Sequence, residues 1–337
     1  MKNKNINWGI LGTAEIADLH VVPALNQAKN ATALAIASSS GKAKSFAEKH
    51  GIPRAYGSYE ELLRDPEIDA VYIPLPNHLH SKWVKIAAEH GKHILCEKPA
   101  SLSAAETKDM IDVCNHYNVL FMEALMYQFH PQHLRVKEMI ADGMIGDVIT
   151  MRSSFTFMLQ KKEGNFRLNA RTQGGGSLYD IGVYCIHAIR AILGEPTNVY
   201  CEASLDESAD ADWSAVAILQ FENGKRAHFD CGMNASTRNE YEIVGTRGTI
   251  RVPKAFIPQK DGKGIIEIID PDGNIQKETC IGNYYKIGVE NFSNSLLENK
   301  SLVYKPDSSI HNMSVLDACF ASIEKNSTVP VVHLRKL

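Results

Sequence analysis

The stretch Asn7-Trp8-Gly9-Ile10-Leu11-Gly12-Thr13-Ala14-Glu15-Ile16-Ala17 is an apolar run that enters a helical pattern through a glycine turn. It matches the dinucleotide-binding fingerprint with alanine in place of two glycines. Gly12 permits the tight turn, and Ala14 and Ala17 are small enough for the backbone to approach a pyrophosphate and for the helix to pack on the sheet. The N–H groups that begin this helix, which we expect to extend through Ala24, would point at the phosphates. A plain strand-to-helix turn is the other interpretation, whereas the fingerprint predicts dinucleotide contacts from Gly9, Gly12, Thr13, Ala14, Glu15 and Ile16.

The alternation of strand and helix continues through the first third of the chain. We predict strands at Ala33–Ala37, Ala70–Ile73, His93–Cys96 and Leu120–Met122, and helices at Lys42–Lys49, Tyr59–Arg64, Lys82–Glu89 and Ala104–His116. Two of the helices open with capping boxes, Ser58 with Glu61 and Ser103 with Glu106, which place their first residues independently of hydrophobic periodicity. Repeated strand-helix units predict a parallel sheet.

After about residue 125 the pattern changes to strands separated by turn signals. A helix at Pro131–Ala141 comes before predicted strands at Val148–Phe157, Asn198–Leu205, Ser214–Phe221, Arg226–Met233, Glu240–Gly245, Gly248–Val252, Ile265–Ile269 and Ile275–Thr279, and helices at Tyr285–Glu298 and Ser308–Lys325 follow. Asn223-Gly224 is a strong hairpin turn. We therefore predict an α/β protein, with an N-terminal Rossmann doubly wound parallel sheet at residues 1–124 and a C-terminal α+β domain with a large, mainly antiparallel sheet at residues 125–337.

The composition excludes several classes of protein. With 337 residues, 44% of them hydrophobic and 22% charged, the chain suits two packed domains rather than disorder. The net charge of −3 and the lack of a lysine or arginine run predict a small-molecule ligand and no nucleic acid. No apolar segment has the length of a signal peptide or a membrane span, so we expect a cytoplasmic protein without a membrane partner.

The cysteines are scattered along the chain and include no Cys-x-x-Cys pair; they stand at positions 96, 114, 185, 201, 231, 280 and 319. An odd number of cysteines without paired spacing fits a reducing compartment better than a disulfide framework. The spacing also speaks against structural zinc, and we predict no metal site.

The end of the second predicted strand indicates which dinucleotide fits. An acidic residue at this position usually bonds the ribose 2′-hydroxyl of NAD. Here the stretch is Ala37-Ser38-Ser39-Ser40-Gly41-Lys42, which contains no acid. Hydroxyls and a lysine suit a 2′-phosphate, and the absence of a carboxylate removes repulsion against it. The sequence therefore favours NADP, with NAD possible, and predicts cofactor contacts from Ser38, Ser39, Ser40 and Lys42. A turn whose serines cap the next helix is the other interpretation.

Glu97-Lys98-Pro99 follows the apolar run His93–Cys96 and places an amine where the fourth parallel strand is predicted to end. In a doubly wound sheet this is the edge at which ligands bind. A solvated lysine in a loop is the other interpretation.

A second cluster of polar residues follows three consecutive glycines in Gly174-Gly175-Gly176-Ser177-Leu178-Tyr179-Asp180-Ile181-Gly182-Val183-Tyr184. Asp180 and Tyr184 are four residues apart, a spacing that puts both side chains on one face of a helix. A capping box of Ser177 with Asp180, and a core role for the Tyr184 ring, are the structural alternatives. The glycines indicate a close approach of the backbone to another group.

Several motifs taken together resemble the Gfo/Idh/MocA oxidoreductases. They are Gly9-x-Leu11-Gly12-Thr13-Ala14-x-Ile16-Ala17, Pro74-Leu75-Pro76-Asn77-His78, Cys96-Glu97-Lys98-Pro99, Met122-Glu123-Ala124, Phe129-His130-Pro131 and the glycine-rich stretch from Gly174 to Tyr184. The pattern most resembles the branch of glucose-fructose oxidoreductase, NADP-dependent D-xylose dehydrogenase and dimeric dihydrodiol dehydrogenase. That branch has tyrosine at the position of Tyr184.

The resemblance implies a role for each matching residue. It makes Lys98 and Tyr184 the catalytic pair, with Asp180 orienting the substrate. It places Pro74, Leu75, Asn77 and Glu97 on the nicotinamide side of the cofactor, and it implies cofactor contacts from His80, Lys98 and Arg167. The branch commonly has arginine after Ser38, where this chain has Ser39, so the preference for NADP over NAD rests on Lys42 as a point charge.

The resemblance also implies a substrate class and an assembly. We expect an aldose, polyol or vicinal diol as the substrate, a C-terminal domain that binds it, and a homodimer or higher homo-oligomer formed by that domain's sheet. Candidates to line the pocket are Tyr127, Phe129, His130, Phe155 and Phe157. The rival interpretations are a sensor or regulatory protein that binds the cofactor without turnover, and a glycosidase that keeps NAD tightly bound.

Overall fold

The computed structural model describes residues 5–160, 165–206 and 211–334, which form two compact units. The first unit takes in the chain as far as Ser101, with Ala105–Met126 and Asn283–Ser309; the second takes in Leu102–Ala104, Tyr127–Gly282 and the chain from Ile310 onward. Asn283–Ser309 therefore packs with the N-terminal unit, although the sequence placed it in the C-terminal domain. Residues 1–4 and 335–337, at the outer ends of the predicted domains, lie outside the described residues.

The first unit contains the predicted parallel sheet. Its strands, within the described residues, are β1 (Ile6–Leu11), β2 (Ala31–Ala37), β3 (Arg54–Tyr56), β4 (Ala70–Ile73), β5 (His93–Cys96) and β6 (Phe121–Glu123). The strands are all parallel and lie in the order β3-β2-β1-β4-β5-β6, the order of a doubly wound dinucleotide-binding sheet. The sequence missed β3, which has only three residues and no apolar run, so Lys98 follows the fifth strand rather than the fourth.

Helices connect these strands. They are α1 (Val22–Gln27), α2 (Ala43–His50), α3 (Tyr59–Leu63), α4 (His80–Glu89) and α5 (Ala104–His116), and a π turn at Ala17–Val21 leads into α1. Helix α3 begins where its capping box predicted, because the Ser58 hydroxyl accepts a hydrogen bond of 3.2 Å from the Glu61 N–H. The Glu61 carboxylate accepts from the Gly57 N–H at 3.1 Å rather than from Ser58.

The second unit is built on a large sheet. Its elements are α6 (Pro131–Ala141), β7 (Val148–Met158), α7 (Val183–Leu193), β8 (Asn198–Asp206), β9 (Ala211–Gln220), β10 (Arg226–Gly232), β11 (Asn234–Gly245), β12 (Thr249–Val252), β13 (Lys263–Ile269) and β14 (Ile275–Ile281). Three further elements complete the described chain: α8 (Tyr284–Glu298), α9 (Pro306–Lys325) and β15 (Val329–Pro330).

In the described part of the chain, nine strands form this sheet in the order β14-β13-β12-β11-β7-β10-β9-β8-β15. Only the pair of β7 and β10 is parallel there, which confirms the predicted, mainly antiparallel sheet. The predicted Asn223-Gly224 turn joins β9 to β10, and Gly224 adopts the left-handed conformation with φ +80°. Helices α6 and α7 pack on this sheet.

Helix α8 completes the core of the first unit. The Phe292 ring lies 5.2 Å from the Trp8 ring of β1, and both side chains are fully buried. The Trp8 indole donates to the Ser293 hydroxyl at 3.3 Å, and the Asn30 amide donates to the Glu290 carbonyl at 2.9 Å. These contacts join residues about 260 to 285 positions apart in sequence, so a single cut near Ala124 does not separate the two cores.

Among the described residues, none of the helices combines the length and the apolarity needed to cross a bilayer.

Candidate active site

The first glycine turn lies at the C-terminal end of β1. Gly12 has φ +115°, a conformation that side-chain-bearing residues rarely adopt, and its N–H donates to the Ala37 carbonyl at 2.9 Å. A Cβ added to Gly12 would lie 3.1 Å from Leu75 Cδ2. Thr13, Ala14 and Ile16 are half-buried and Glu15 is exposed, so this turn is accessible at the ligand edge of the sheet.

The helix after this turn differs from the expected one. Helical hydrogen bonding starts at the Ala14 carbonyl, which accepts from the N–H groups of Ala17 and Asp18 at 3.0 and 3.1 Å. The following turn, Ala17–Val21, is a π turn. Such turns are rare in proteins overall, and many of those that occur lie at functional sites.

Gly9 lies inside β1, before the turn, where helix α3 packs against the strand. A Cβ at this residue would lie 2.6 Å from Leu62 Cδ2 on α3. The structure therefore explains this glycine by close helix-to-sheet packing.

The serines after β2 form a compact turn. Ser38 is buried, and its hydroxyl lies 2.9 Å from the Ser40 hydroxyl and accepts from the Ser40 N–H at 3.3 Å. Ser39, Ser40 and Lys42 are exposed. Helix α2 begins after Lys42 without a side-chain cap, so the serines do not cap it. Exposed hydroxyls and an ammonium at a strand end are groups that can bind a phosphate.

His80 links the loops that follow β4 and β5. The buried ring places Nδ1 2.8 Å from the Pro99 carbonyl and Nε2 2.8 Å from the Leu75 carbonyl. Burial lowers the pKa of His80, and the two carbonyl oxygens oppose this effect. Because both ring nitrogens face backbone, the structure shows a bridge between loops where the resemblance implied a cofactor contact.

Asn77 and Leu75, expected on the nicotinamide side, belong to the first of these loops. Both are buried, and Asn77 opens a 3-10 turn at Asn77–Leu79 that runs into α4. Pro74 follows β4 directly. The structure thus places the three residues at the ligand edge of the sheet, beside the strand that carries Lys98.

Glu97 and Lys98 follow β5 directly. The Glu97 carboxylate accepts from the Tyr72 hydroxyl at 2.6 Å, and its other oxygen accepts from the Lys98 N–H at 3.3 Å. Burial raises the pKa of Glu97, against the Tyr72 hydrogen bond and the Lys98 charge. Lys98 is half-buried, and the Lys98–Pro99 peptide bond is cis.

Glu123 anchors the same loop from its other side. It is fully buried; Oε1 accepts from the Ala100 N–H at 2.9 Å and Oε2 accepts from the Tyr304 hydroxyl at 3.0 Å. Glu123 stands in the Met122-Glu123-Ala124 motif, for which no role was predicted. An acid at the end of the buried β6 run was the available signal, because an acid in such a place needs partners.

In the second unit, the structure brings Asp180 and Arg167 together. Asp180 is buried in a π turn at Leu178–Gly182, and its Oδ2 accepts from Arg167 Nε at 2.6 Å. Arg167, expected to contact the cofactor, is partly exposed and also lies over the Phe166 ring at 4.6 Å. The pair is held within the second unit.

The glycine triplet is explained by contacts within the chain. A Cβ at Gly175 would lie 1.8 Å from the Asn169 carbonyl oxygen, and one at Gly176 would lie 2.2 Å from Asp212 Oδ1. Gly174 and Gly176 also have positive φ, at +81° and +104°. The close approach that the glycines indicated is therefore an approach to Asn169 and Asp212.

Asp212 on β9 is a second residue that the sequence analysis missed. Its Oδ2 accepts from the Ser177 hydroxyl at 2.5 Å and from the Leu178 N–H at 2.7 Å. Burial raises the pKa of Asp212, and these hydrogen bonds oppose that effect. Ser177 thus pairs with Asp212, and the predicted capping box with Asp180 is not formed.

Tyr184 lies in an aromatic cluster at the start of α7. Its ring is 5.5 to 5.7 Å from the rings of Tyr127, Phe155 and Phe256. Tyr184 is half-buried, whereas its neighbours Val183 and Cys185 are fully buried. Two of the expected pocket residues therefore surround the tyrosine, and Phe256 is an addition that the sequence did not indicate.

The other expected pocket residues have different surroundings. His130 caps α6 by accepting from the Gln132 N–H at 3.2 Å, and its Nε2 lies 2.9 Å from the Gly262 carbonyl. Phe129 is buried and Phe157 is half-buried. Behind the cluster, the Tyr127 hydroxyl lies 2.6 Å from His187 Nδ1, and burial lowers the pKa of His187 well below its ordinary value.

Comparison with known protein families assigns both parts of the chain. Residues 6–125 match the model described as oxidoreductase family, NAD-binding Rossmann fold, and residues 133–251 match the model described as GFO/IDH/MocA C-terminal domain. The first match covers the six strands of the parallel sheet and the loops between them, including Lys98. The second covers Arg167, Asp180 and Tyr184.

Individual relatives cover nearly the whole chain. The D-xylose 1-dehydrogenase (NADP⁺) 2 of Haloferax volcanii is 33% identical, over 96% of this chain and 98% of its own. The trans-1,2-dihydrobenzene-1,2-diol dehydrogenase of Xenopus tropicalis is 35% identical, over 73% of this chain and 74% of its own. Among solved structures, the chain is similar to a 3-ketoreductase from Actinomadura kijaniata, crystallised in complex with NADP and TDP-benzene. The two sequences are 30% identical, the match covers 95% of this chain and 98% of the other, and the structures superpose with a TM-score of 0.89. With two matching family models and relatives of this length, the chain is an NAD(P)-dependent oxidoreductase of the GFO/IDH/MocA family.

Proposed function

We propose that the protein transfers a hydride between NADP(H) and a carbinol or carbonyl carbon of a sugar, polyol or vicinal diol, with Tyr184 as the acid–base group and Lys98 as its partner. The observation that carries this proposal is the fixed backbone around Lys98. His80 Nδ1 lies 2.8 Å from the Pro99 carbonyl and the Ala100 N–H donates to Glu123, so both residues after Lys98 contact buried side chains. A lysine held this way at the ligand edge of the sheet is preorganised, which a solvated loop lysine is not.

The chemistry of the pair follows from charge. Oxidation of a carbinol requires loss of the hydroxyl proton, and the nicotinamide supplies the hydride acceptor when it is bound. A phenol with an ordinary pKa of about 10 is a weak base at neutral pH. A nearby ammonium favours the phenolate and lowers a pKa by about 1 to 3 units. Tyr184 then takes the proton as the C–H hydride departs and returns it in the reductive direction, while Lys98 stabilises the developing alkoxide.

Asp180 is proposed to orient a substrate hydroxyl. The bond from Arg167 Nε fixes one oxygen of its carboxylate. Asp212 and the glycine triplet fix the backbone at the start of the π turn that carries Asp180. These contacts hold the Asp180 carboxylate in one orientation. A group that positions a substrate needs such a fixed orientation.

The experiment that tests the proposal is a spectrophotometric assay of purified protein with NADP⁺ or NAD⁺ and a panel of aldoses, inositols and trans-dihydrodiols. Tyr184→Phe is expected to lower turnover by about 10² to 10⁴, the range of acid–base assistance, with NADPH binding retained. Lys98→Ala is expected to abolish turnover. Tyr117→Phe, at an exposed tyrosine, is the matched control and should leave turnover unchanged. A Tyr184→Phe enzyme with wild-type turnover would remove the assignment.

The preference for NADP is a separate part of the proposal. It is supported by the exposed Ser39, Ser40 and Lys42 and by the lack of a carboxylate at the end of β2. The ratio of kcat/KM with NADP⁺ to that with NAD⁺ should exceed one, and Lys42→Ala should lower the ratio by raising KM for NADP⁺. Tighter binding of NADH than of NADPH would contradict this part alone.

The relatives favour turnover over the rival interpretations, because they are named as dehydrogenases and reductases. A sensor would bind NADPH and show no substrate-dependent change in absorbance at any substrate. A glycosidase with permanently bound NAD would cleave a glycoside and release no reduced cofactor. Release of free reduced cofactor therefore separates the three functions.

A homodimer through the open face of the large sheet is the proposed assembly. Val216 and Ile218 of β9 are 55% and 43% exposed, and they point to the same face because they are two residues apart on a strand. Arg152 of β7 and Glu242 of β11, two and three strands away, lie in the same cross-strand row as Ile218 and form an ion pair at 2.9 Å. A face that mixes apolar and oppositely charged groups suits pairing with a second copy about a two-fold axis.

Sedimentation equilibrium tests this assembly. The wild type should sediment as a dimer or larger, and the double variant Val216→Lys and Ile218→Lys should shift it to the monomer, because lysines would face lysines across the axis. Leu134→Lys, at an exposed leucine of α6, is the control. A wild-type monomer, or a double variant that still associates, would contradict the proposed interface.

A further inference from the structure

Three potential metal ligands from distant parts of the sequence meet in the second unit. Glu195 lies after α7, His311 lies on α9 and His333 lies after β15. One ligand atom from each residue lies within 4.8 Å of the others. No local pattern indicated this cluster, because the prediction of no metal rested on cysteine spacing and these residues are separated by 116 and 22 positions.

The hydrogen bonding of His333 prepares one ring nitrogen for a metal. Nε2 lies 3.0 Å from the Pro196 carbonyl, which only accepts, so Nε2 carries the proton. In the neutral ring, Nδ1 then holds the lone pair, and this atom is buried with no hydrogen-bond partner among the described residues. Metal-binding histidines commonly donate their other N–H to a carbonyl in this way, which fixes the tautomer and the ring direction.

His311 and Glu195 supply the other two donors. His311 Nδ1 lies 3.2 Å from Glu195 Oε1, and its side chain is about one-third exposed, which leaves room for a water ligand. The rings of His311 and His333 lie edge to face with centroids 5.2 Å apart. Around a bound zinc ion, ligand atoms are about 3.4 Å apart, given bonds of about 2.1 Å in a tetrahedron. The three ligand atoms must therefore move closer together, which a small movement of the partly exposed His311 side chain allows.

Arg190 limits which ions fit the cluster. Its guanidinium donates to both oxygens of Glu195, at 2.7 and 2.8 Å, so it fixes the carboxylate and also neutralises it. Because the Glu195 charge is neutralised, a metal ion would bind here through bonds to the imidazole nitrogens more than through attraction to a negative charge. Calcium and magnesium, which require several oxygen ligands, are excluded, whereas zinc, nickel and copper bind imidazole well.

We propose that Glu195, His311 and His333 bind one divalent transition-metal ion, Zn²⁺ foremost, which ties the segment after β15 to α9 and to the loop after α7. The site uses none of the residues assigned to hydride transfer. It therefore stabilises the C-terminal segment without entering the reaction.

Calorimetric titration of chelator-treated protein without a histidine tag, using Zn²⁺ alone and then Mg²⁺ alone, tests the site. The expected result is one Zn²⁺ per chain, at least tenfold weaker binding in both His311→Gln and His333→Gln, and no binding of Mg²⁺. His116→Gln, at an exposed histidine elsewhere, is the control and should bind as the wild type does. Circular dichroism confirms that each variant is folded.

A second measurement keeps the test decisive if one variant is unstable. Zn²⁺ should raise the wild-type unfolding midpoint, and His311→Gln should lose most of this rise. Co²⁺ bound to the wild type should give the visible absorbance of a low-symmetry site with nitrogen ligands, absent in His311→Gln. Zn²⁺ binding that is undetectable, or equal in the wild type and both histidine variants, would overturn the proposal.

Discussion

Glu97 is a half-buried carboxyl whose pKa is raised, in spite of a lysine as its next neighbour in sequence. Burial penalises the ionised form, and the hydrogen bond from Tyr72 and the charge of Lys98 recover only part of that loss. Tyr72 stays a donor, because burial and the Glu97 charge both raise its pKa and keep it protonated. The residue pair is thus a fixed donor and acceptor at the base of the Lys98 loop.

A pH dependence follows from the raised pKa of Glu97. Between the ordinary carboxyl pKa of 4.5 and its raised value, the folded protein binds more protons than the unfolded chain, so stability falls as pH rises through that window. Glu97→Gln removes this contribution, which amounts to about 1.4 kcal/mol for each pH unit that separates the folded-state pKa from the unfolded one. The unfolding free energy of the variant relative to the wild type should therefore increase with pH and then level off. Urea unfolding from pH 4.5 to 8 measures it, and a difference that stays constant with pH would contradict the assignment.

At the scale of elements, each of the two units contains a π turn among its described residues. One follows the Gly12 turn at Ala17–Val21 and the other, at Leu178–Gly182, carries Asp180. A π turn inserts one extra residue into a helix, so the predicted face shared by Asp180 and Tyr184 does not follow from α-helical spacing alone. Sequence periodicity predicts the helix but does not reveal the extra residue, because the apolar positions on either side keep their helical spacing.

The glycine triplet provides a prediction at this scale. Gly175→Ala would put Cβ 1.8 Å from the Asn169 carbonyl oxygen, so the backbone around the triplet must move. We expect a loss of about 1 to 3 kcal/mol in the unfolding free energy, together with lower turnover, because the Arg167–Asp180 pair depends on this segment. Gly57→Ala is the matched control, since its Cβ would lie no closer than 3.8 Å to Glu61. Chemical unfolding and steady-state assays measure both effects, and equal behaviour of the two variants would contradict the packing argument.

At the scale of the whole molecule, the first unit is assembled from separate segments of the chain. Helix α8 follows the last strand of the large sheet's β11–β14 meander in sequence, yet Phe292 packs on Trp8 of β1. Local patterns predicted the helix correctly at Tyr285–Glu298, with only its first residue displaced. They gave no information on which core it joins, because an amphipathic helix fits any apolar surface of suitable shape.

Truncation of Phe292 tests how much this helix stabilises the first unit. Phe292→Ala leaves a cavity against Trp8 and should lower the unfolding free energy by about 3 to 5 kcal/mol. Leu297→Ala, on the same helix but at an exposed leucine, should cost less than about 1 kcal/mol. The two midpoints in denaturant unfolding provide the comparison. A Phe292→Ala protein as stable as Leu297→Ala would show that α8 is peripheral to the core.

The sequence by itself determined what depends on neighbours along the chain. The Gly12 turn, the strand that ends before Glu97-Lys98, the capped start of α3 and the Asn223-Gly224 hairpin are all local signals, and parallel strands with crossover helices then imply a common ligand edge. The tertiary structure alone decided the partners across long separations. It decided that Glu123 bonds the Ala100 N–H, that Asp212 bonds Ser177 and that Arg167 bonds Asp180. It also decided that α8 packs against β1. The physical reason is that a buried polar group must find a partner, but many residues could serve, and only the packing of the chain selects one.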